Sequence, residues 1–392
     1  MSYTESEIME YIEEEDAKFI RLVFRDAYGI QKNISVMPSE IHKAFAEGIP
    51  INAKAIRGFE EYECASLYLK PDPSTMAVLP WRPDSGRVVR MICNLFTADG
   101  KPYEADSRNI LIKAIETAKE KGIEFKFGSE MEFYLFKLND EGQPTSEPHD
   151  NAGYLDIAPL DRGENIRREI CLTIEEMGFT PERSHHESGP GQNEIDFHYG
   201  KPLKAADQLT TFKMVVSTIA DRYGLYADFS PVPIPDKPGN GYHVNIYAQD
   251  KDGNDVSTYI AAGIIDKIKD ITLFLNPTEY SYRRFDAHKM LNQVNSSQSG
   301  GSEWITVDDG TKANRVELRS PDALCNPYIA YTFLIYAGLY GIENKLSVPD
   351  TVDLSGDFLP KTREEAAEYV KESEFVKSIL PESIIDSYLN QL

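Results

Sequence analysis

The chain has 392 residues, 41% of them hydrophobic, which is long enough for two or three domains with large buried cores. Its 64 Asp and Glu against 41 Lys and Arg give a formal net charge of −23, which argues against a nucleic-acid or anionic-membrane partner and leaves carboxylates over for a cation site. The opening MSYTESEIMEYIEEED has neither a basic nor an apolar segment, and no apolar run reaches the roughly 18 to 20 residues of a membrane span, so a cytoplasmic address is expected.

In the first hundred residues, short β-type runs at 19–24 and 65–69 alternate with turns rich in Pro, Asp and Gly (PDPST, RPDSG), the pattern of a small α+β domain. Residues 106–121 have helical spacing, with Ile110, Leu111, Ala114, Ile115 and Ala118 on one face, and a Lys-Gly stop leads into a strand at 124–136. A second, larger domain is therefore expected from residue 104, giving domains of 1–103 and 104–392. Helices follow at 164–177, 206–223 and 257–275, the last stopping before Asn276-Pro277. The Ser-, Gly- and Asp-rich stretch 295–309 reads as a loop, 327–346 as a long apolar helix and 363–392 as acidic surface helices. Cys64, Cys93, Cys171 and Cys325 are scattered, which suggests neither disulfides nor a cysteine zinc site, and they read as reduced residues in or near the core.

Four short segments carry chemistry. In GSEMEFYLF (residues 128–136), Glu130 and Glu132 lie two apart in a strand, so both carboxylates point to one face. Such a pair repels unless a cation neutralises it; an exposed edge-strand face is the plainer alternative. In HHESGPGQNEIDF (185–197), Glu187 and Glu194 flank a Gly-Pro-Gly turn that lets them converge, and hard divalent ions take such oxygen ligands. His243 follows glycines in PGNGYHVN (238–245), where backbone approaches closely and a structural histidine is the competing reading. In RVELRSPD (315–322), Arg315, Glu317 and Arg319 share a strand face, either as a salt-bridge ladder or as cation and anion ligands side by side.

Together with NPTEYSYRR (276–284) and NPYIA (326–330), these segments resemble the glutamine synthetase family over most of the chain. The resemblance implies an α+β protein, a small N-terminal β-grasp domain followed by a catalytic domain with a curved antiparallel sheet and helices. It further implies self-association in a ring, as a hexamer or stacked hexamers, with active sites between subunits. By resemblance, Glu132, Glu187 and Glu194 would hold one divalent ion, and Glu130, His243 and Glu317 a second that bridges the phosphates of ATP. The cofactors implied are ATP and Mg²⁺ or Mn²⁺, two or three per site. The reaction implied is phosphorylation of the γ-carboxylate of glutamate and displacement of phosphate by ammonia or an amine. Arg284 and Arg319 would clamp substrate carboxylates, with Gly239 and Tyr154 also at the substrate and Arg315 and Asn245 near the nucleotide.

The chain departs from the family at several points. Between Arg284 and Arg315 the family's flap glutamate and two phosphate-binding arginines align with Asp286, Gln298 and Glu303, a change expected to weaken phosphate binding by several kcal/mol, at about 1.5 to 3 for each charge-assisted hydrogen bond. Lys289 and Lys312 are surviving basic residues, and whether they substitute for that pair depends on how the loop is placed. Asn52 stands where the family has an ammonium-binding aspartate, Pro238 replaces an Asn and Asn245 a second His. The family's further C-terminal helical tail and its adenylylation tyrosine, near Phe358, are not expected here. These features define an ATP-dependent ligase acting on glutamate or a similar compound with ammonia or an amine. The alternatives are a γ-glutamylamine ligase using a primary amine, which the loss of the aspartate suits, and a metal-binding or sensing pseudoenzyme, which the arginine losses suit.

Overall fold

The computed structural model describes residues 3–82, 86–286, 294–295, 305–307, 315–348 and 359–390. The chain forms two compact units, one of Met1–Ile112 with Glu176–Gly178 and Leu380–Leu392, the other of Lys113–Glu175 with Phe179–Ile379.

The first unit opens with helix α1 (Glu5–Glu14), fixed by a capping box: Thr4 Oγ1 accepts from Glu7 N, and the Glu7 carboxylate accepts from Thr4 N at 2.7 Å. Strands β1 (Phe19–Arg25), β2 (Gln31–Val36), β3 (Ile49–Asn52), β4 (Ser66–Pro71), β5 (Ala77–Val78) and β6 (Val88–Phe96) form one sheet in the order β2-β1-β6-β4-β3, with β5 on β6. β1 and β6 run parallel and their other partners antiparallel; α2 (Ile41–Ala46) lies between β2 and β3 in sequence. This is the α+β, β-grasp unit expected. Strict alternation in β4 buries Leu67, Leu69 and Pro71 and half-exposes the residues between them, as a one-sided sheet requires.

The last helix, Glu382–Leu389, belongs to this unit and corrects the expectation of a tail of surface helices. Ile384, Ile385 and Tyr388 are buried, the Tyr388 ring lies 5.5 Å from that of Tyr28, and Tyr28 OH donates to the Ser387 carbonyl at 3.0 Å. Helix α3 (Ser107–Glu120) carries the chain onward.

The second unit is built on a nine-stranded sheet: β7 (Ile123–Leu138), β8 (Pro144–Pro148), β9 (Pro181–His186), β10 (Gln192–Gly200), β11 (Leu225–Asp228), β12 (Tyr242–Asp250), β13 (Val294–Asn295), β14 (Ile305–Val307) and β15 (Val316–Leu318). Its order is β13-β14-β15-β12-β7-β10-β9, with β8 and β11 also on β7. Strands β13 and β14 reach into the stretch expected to be a loop; β13 pairs with β14 and β14 with β15, which supplies backbone partners that the composition does not advertise.

Helices α4 (Glu164–Glu176), α5 (Pro202–Arg222), α6 (Ser257–Leu275), α7 (Glu279–Asp286), α8 (Pro327–Glu343), α9 (Arg363–Glu372) and α10 (Glu374–Ile379) complete it. α5 begins four residues before the expected start at 206, because Pro202 suits the first helical turn, where no N–H is needed. α8 is apolar all round and is buried along most of its length. It crosses α6 at glycines: a Cβ on Gly263 would lie 2.0 Å from the Ala337 carbonyl oxygen, and one on Gly341 2.0 Å from that of Tyr259. Among the described residues no helix is long and apolar enough to cross a membrane.

β7 sorts its side chains by face. Phe125, Phe127, Met131 and Phe133 are buried; Phe127 stacks on Tyr331 of α8 at 4.2 Å, and Phe133 meets Phe212 of α5 edge-on at 6.2 Å. Each such ring contributes about 1.5 to 3 kcal/mol by burial, so β7 is held firmly from one side. The opposite face carries Glu130 and Glu132.

Candidate metal centre

Strand register assembles the site. β10 sets Glu194 opposite Glu132 and Asp196 opposite Glu130; β12 sets His243 opposite Glu130 and Asn245 opposite Gly128; β15 sets Glu317 opposite Asn245; β9 sets His185 opposite Glu194. Directly opposed residues share a face. One face of five neighbouring strands therefore carries Glu130, Glu132, Glu194, Asp196, Glu317, His185 and His243.

Glu130, His243 and Glu317 bring one potential ligand atom each within 4.8 Å of the others. His243 Nδ1 lies 3.0 Å from Glu130 Oε2 and 3.5 Å from Glu317 Oε1, and Asn245 Nδ2 donates to Glu130 Oε1 at 3.0 Å. Arg315 and Arg319 approach Glu317 at 3.5 and 3.8 Å. Burial raises the Glu130 carboxyl, but His243, Asn245 and Arg315 outweigh it and hold it at about 2. Glu130 is therefore ionised, with His243, Arg315 and Arg319 beside it or its neighbour Glu317.

Glu187 and Glu194 gather around His185, again within 4.8 Å; its two ring nitrogens lie 3.7 Å from Glu187 Oε1 and Glu194 Oε2. Glu132, expected with Glu187 and Glu194, has an oxygen tied down separately: Oε2 accepts from Gln192 Nε2 at 2.5 Å and from Gly241 N at 2.9 Å. Burial, then the charges of Glu132 and Asp196, push Glu194 up to about 11; burial and then Glu187 act in the same direction on Glu132, which is also raised. This half of the site is anionic in composition and holds protons where no cation neutralises it.

Gly241 makes the approach possible. A Cβ there would lie 2.7 Å from Glu132 Oε1 and 2.8 Å from His243 Nε2, so no other residue fits between the two ligand positions without displacing one.

Behind Glu187 a buried network fixes the turn. His186 Nε2 meets Asp150 Oδ1 at 2.9 Å and its Nδ1 meets the Glu187 carbonyl at 2.6 Å; Arg167 joins Asp161 at 2.5 Å and Asn193 at 2.6 Å. Asp150, Asp161 and His186 also fall within 4.8 Å of one another, but their polar atoms are engaged with backbone and with Arg167, as in a structural network.

Of the other predicted site residues, Tyr154 is 60% exposed and sets its ring edge-on to His185 at 5.6 Å. Gly239 passes its carbonyl to Gln192 Nε2 at 3.1 Å, and Asn245 joins the Glu130 set. Arg319 is partly exposed beside Glu317. Arg284, expected to clamp a substrate carboxylate, is instead buried, and its guanidinium donates to the carbonyls of Arg319 at 3.2 Å and Pro321 at 2.7 Å, clasping the turn after β15. Asn52 belongs to the first unit, where its Oδ1 accepts from Lys54 N at 3.1 Å. Asp286 ends α7; Lys289, Gln298, Glu303, Lys312 and Phe358 lie outside the described residues. His185, Asp196, Arg183 and Gln192 were not singled out by sequence.

The donor set, carboxylate oxygens with one imidazole per group, suits a hard divalent ion. Comparison with known proteins agrees. The model of the glutamine synthetase catalytic domain matches residues 104–391, and that of the glutamine synthetase β-grasp domain matches 16–98. A glutamine synthetase of Clostridium saccharobutylicum is 38% identical over 99% of this chain and 94% of its own, and one of Methanosarcina mazei 37% identical over 98% and 92%. Among solved structures, apo GmaS without ligand is 25% identical with a TM-score of 0.86, over 97% of this chain and 93% of its own. Plasmodium falciparum glutamine synthetase, 21% identical, shares the fold with a TM-score of 0.87 over 99% and 95%. Fold, site and relatives together define an ATP-dependent ligase. The chain belongs to the glutamine synthetase family.

Proposed function

We propose that this protein joins ammonia or another amine to the γ-carboxylate of glutamate or a glutamate-like compound, with ATP, through a γ-glutamyl phosphate. The observation that carries the reading is the convergence of Glu130, His243 and Glu317 from three strands to within 4.8 Å, with Glu194 of β10 and Glu187 of the turn before it gathered around His185. Glu130, His243 and Glu317 would hold one Mg²⁺ or Mn²⁺; Glu132, Glu187 and Glu194, with His185 beside them, would hold another. Bound divalent ions supply charge neutralisation for the nucleotide phosphates and the acyl phosphate. Arg319 would take the substrate carboxylate and Arg315 the nucleotide, both now beside Glu317, while the hydrogen bonds to Glu132 and Glu130 keep those carboxylates aimed. The reading includes Asp286 as the flap acid, a domain division at 103/104, a ring of subunits and a cytoplasmic location.

A primary amine as second substrate is favoured by one observation, the neutral Asn52 at the position of the family's ammonium-binding aspartate. Purified protein with Mg²⁺ or Mn²⁺, ATP and glutamate should release phosphate when ammonia or one of a panel of amines is added, and the amine giving the highest rate identifies the substrate. No amine-dependent phosphate release under any condition would overturn the ligase reading and leave the pseudoenzyme reading standing.

A further inference from the structure

The first unit carries a cavity of about 900 Å³ whose lining residues all belong to that unit and to none of the ligand sets above. One wall is the segment 57–64 with Tyr103; another is the last helix, tied down by the Tyr28 hydroxyl on the Ser387 carbonyl. Aromatic rings floor it. Tyr103 meets Phe59 edge-on at 5.2 Å and Tyr62 at 4.9 Å. The Arg57 guanidinium lies 4.3 Å from the centre of the Tyr28 ring, so one ring of this cavity already takes a cation on its face.

Tyr103 is only 5% exposed, yet its hydroxyl makes no hydrogen bond among the described residues. Burial, then Tyr62 and Glu104, raise that hydroxyl above the ordinary tyrosine value, so it stays neutral, with hydrogen-bonding capacity to spare for a ligand. Around the floor, Glu61, Glu63, Glu104, Glu382 and Asp386 are exposed and form no ion pair among the described residues, and Arg57 is the only cation among the described lining residues. None of these carboxylates gathers with two others within 4.8 Å, so the cavity is not a cage for a metal ion. Its acidic rim repels anions, and its rings favour a positive charge carried on an apolar body.

We infer that this cavity binds an alkylammonium ion, with the Phe59, Tyr62 and Tyr103 rings against its carbon chain, the Tyr103 hydroxyl accepting an ammonium N–H, and the acidic rim selecting for cations. The surplus of unpaired carboxylates favours a chain with an ammonium at each end over one with a single charge. The site goes beyond the reaction proposed above and uses none of its residues.

The alternative is a solvated cleft whose rings only pack the segment 57–64, and it predicts no amine binding. The test is calorimetric titration of the full-length protein with putrescine, n-butylamine and, as the uncharged counterpart, n-butanol. Mg²⁺ is present and nucleotide absent, so the outcome does not depend on turnover. Putrescine should bind once per chain, n-butylamine about threefold more weakly, and n-butanol not measurably. Tyr103→Phe removes only the hydroxyl and should weaken putrescine about fivefold. Tyr62→Leu removes a ring and should weaken it about threefold, with Tyr62→Phe binding as wild type. The double variant Glu61→Gln, Glu63→Gln alters only exposed side chains and should weaken it about fivefold. No heat from putrescine, or n-butanol binding as tightly, overturns the site. So does unchanged affinity in the double variant, which decides if Tyr103→Phe fails to give a cooperative melt, or in a folded Tyr103→Phe. Putrescine binding that is lost in Glu317→Ala would place the amine on the metal face instead and overturns it as well.

Discussion

The two halves of the metal face differ in how they are held. The Glu130 set is charge-balanced without any ion: His243, Asn245 and the nearby arginines keep Glu130 ionised. The Glu194 half packs Glu132, Glu187, Glu194 and Asp196 together, and although Arg183 pairs Asp196 and His185 lies beside Glu187 and Glu194, burial with mutual repulsion raises Glu194 and Glu132. The first half is preorganised for a cation, whereas the second must exchange protons for one. The same strands build both, so the contrast comes from which side chains face each carboxylate rather than from the scaffold.

The largest effect that would break this contrast is on catalysis. Glu317→Ala removes a ligand from the preorganised half and should lower amine-dependent phosphate release more than about 100-fold, with the melting temperature little changed. Activity that survives the substitution would mean that Glu317 faces Arg315 and Arg319 as a salt-bridge ladder only. Gly241→Ala touches both halves at once, since its Cβ would crowd Glu132 Oε1 and His243 Nε2. It should weaken Mn²⁺ binding about 10- to 100-fold while the circular-dichroism spectrum stays that of wild type. Equal affinity would show that the ligands shift aside without cost.

How much of this was visible in the sequence follows from the geometry. Period-two spacing identified Glu130 and Glu132, because alternation within one strand is local. The same signal was present for Glu194 and Asp196, two apart on β10, and for the apolar stripe Ile384, Ile385 and Tyr388 of the last helix. His185, Gln192 and Arg183 enter the site through the register of β9, β10 and β7, which a single sequence does not state. Arg284 shows the opposite limit. The resemblance suggested a ligand clamp; in the structure the chain after β15 folds its carbonyls onto the guanidinium, a set of partners that no sequence pattern announces.

Isosteric amides sharpen the comparison in the metal-free protein. Glu130→Gln removes a charge that the fold stabilises, a shift from 4.5 to about 2, and should cost about 3 kcal/mol near neutral pH. The sign follows from the depressed value: this stability is present above the unfolded value of 4.5 and is lost as pH falls through about 2. Glu194→Gln imitates the protonated acid already present and should leave the metal-free melting temperature nearly unchanged. Urea unfolding of both variants in chelator checks the pair, and equal losses would erase the distinction between the halves.

The smallest effect is a proton count, and it addresses the mechanism of the difference directly. Glu194 rises from 4.5 to about 11, because burial and then Glu132 and Asp196 oppose its charge. A raised carboxyl binds its proton more tightly in the folded state, so the metal-free protein should lose stability as pH climbs from the unfolded value of 4.5 toward about 11. A divalent ion must displace that proton, so the stabilisation conferred by Mn²⁺ should grow with pH over the same interval. Calorimetric titration near neutral pH, in buffers of different ionisation enthalpy, should report release of about one proton from Glu194 as the ion enters this half. A smaller contribution is expected from Glu132, which is raised as well. Glu194→Gln should remove that proton from the count, whereas Glu130→Gln should not, because Glu130 is ionised before any ion arrives. Heats independent of buffer would mean that ions enter through the Glu130 set alone, and the protonated half would then be a structural cluster rather than a cation site.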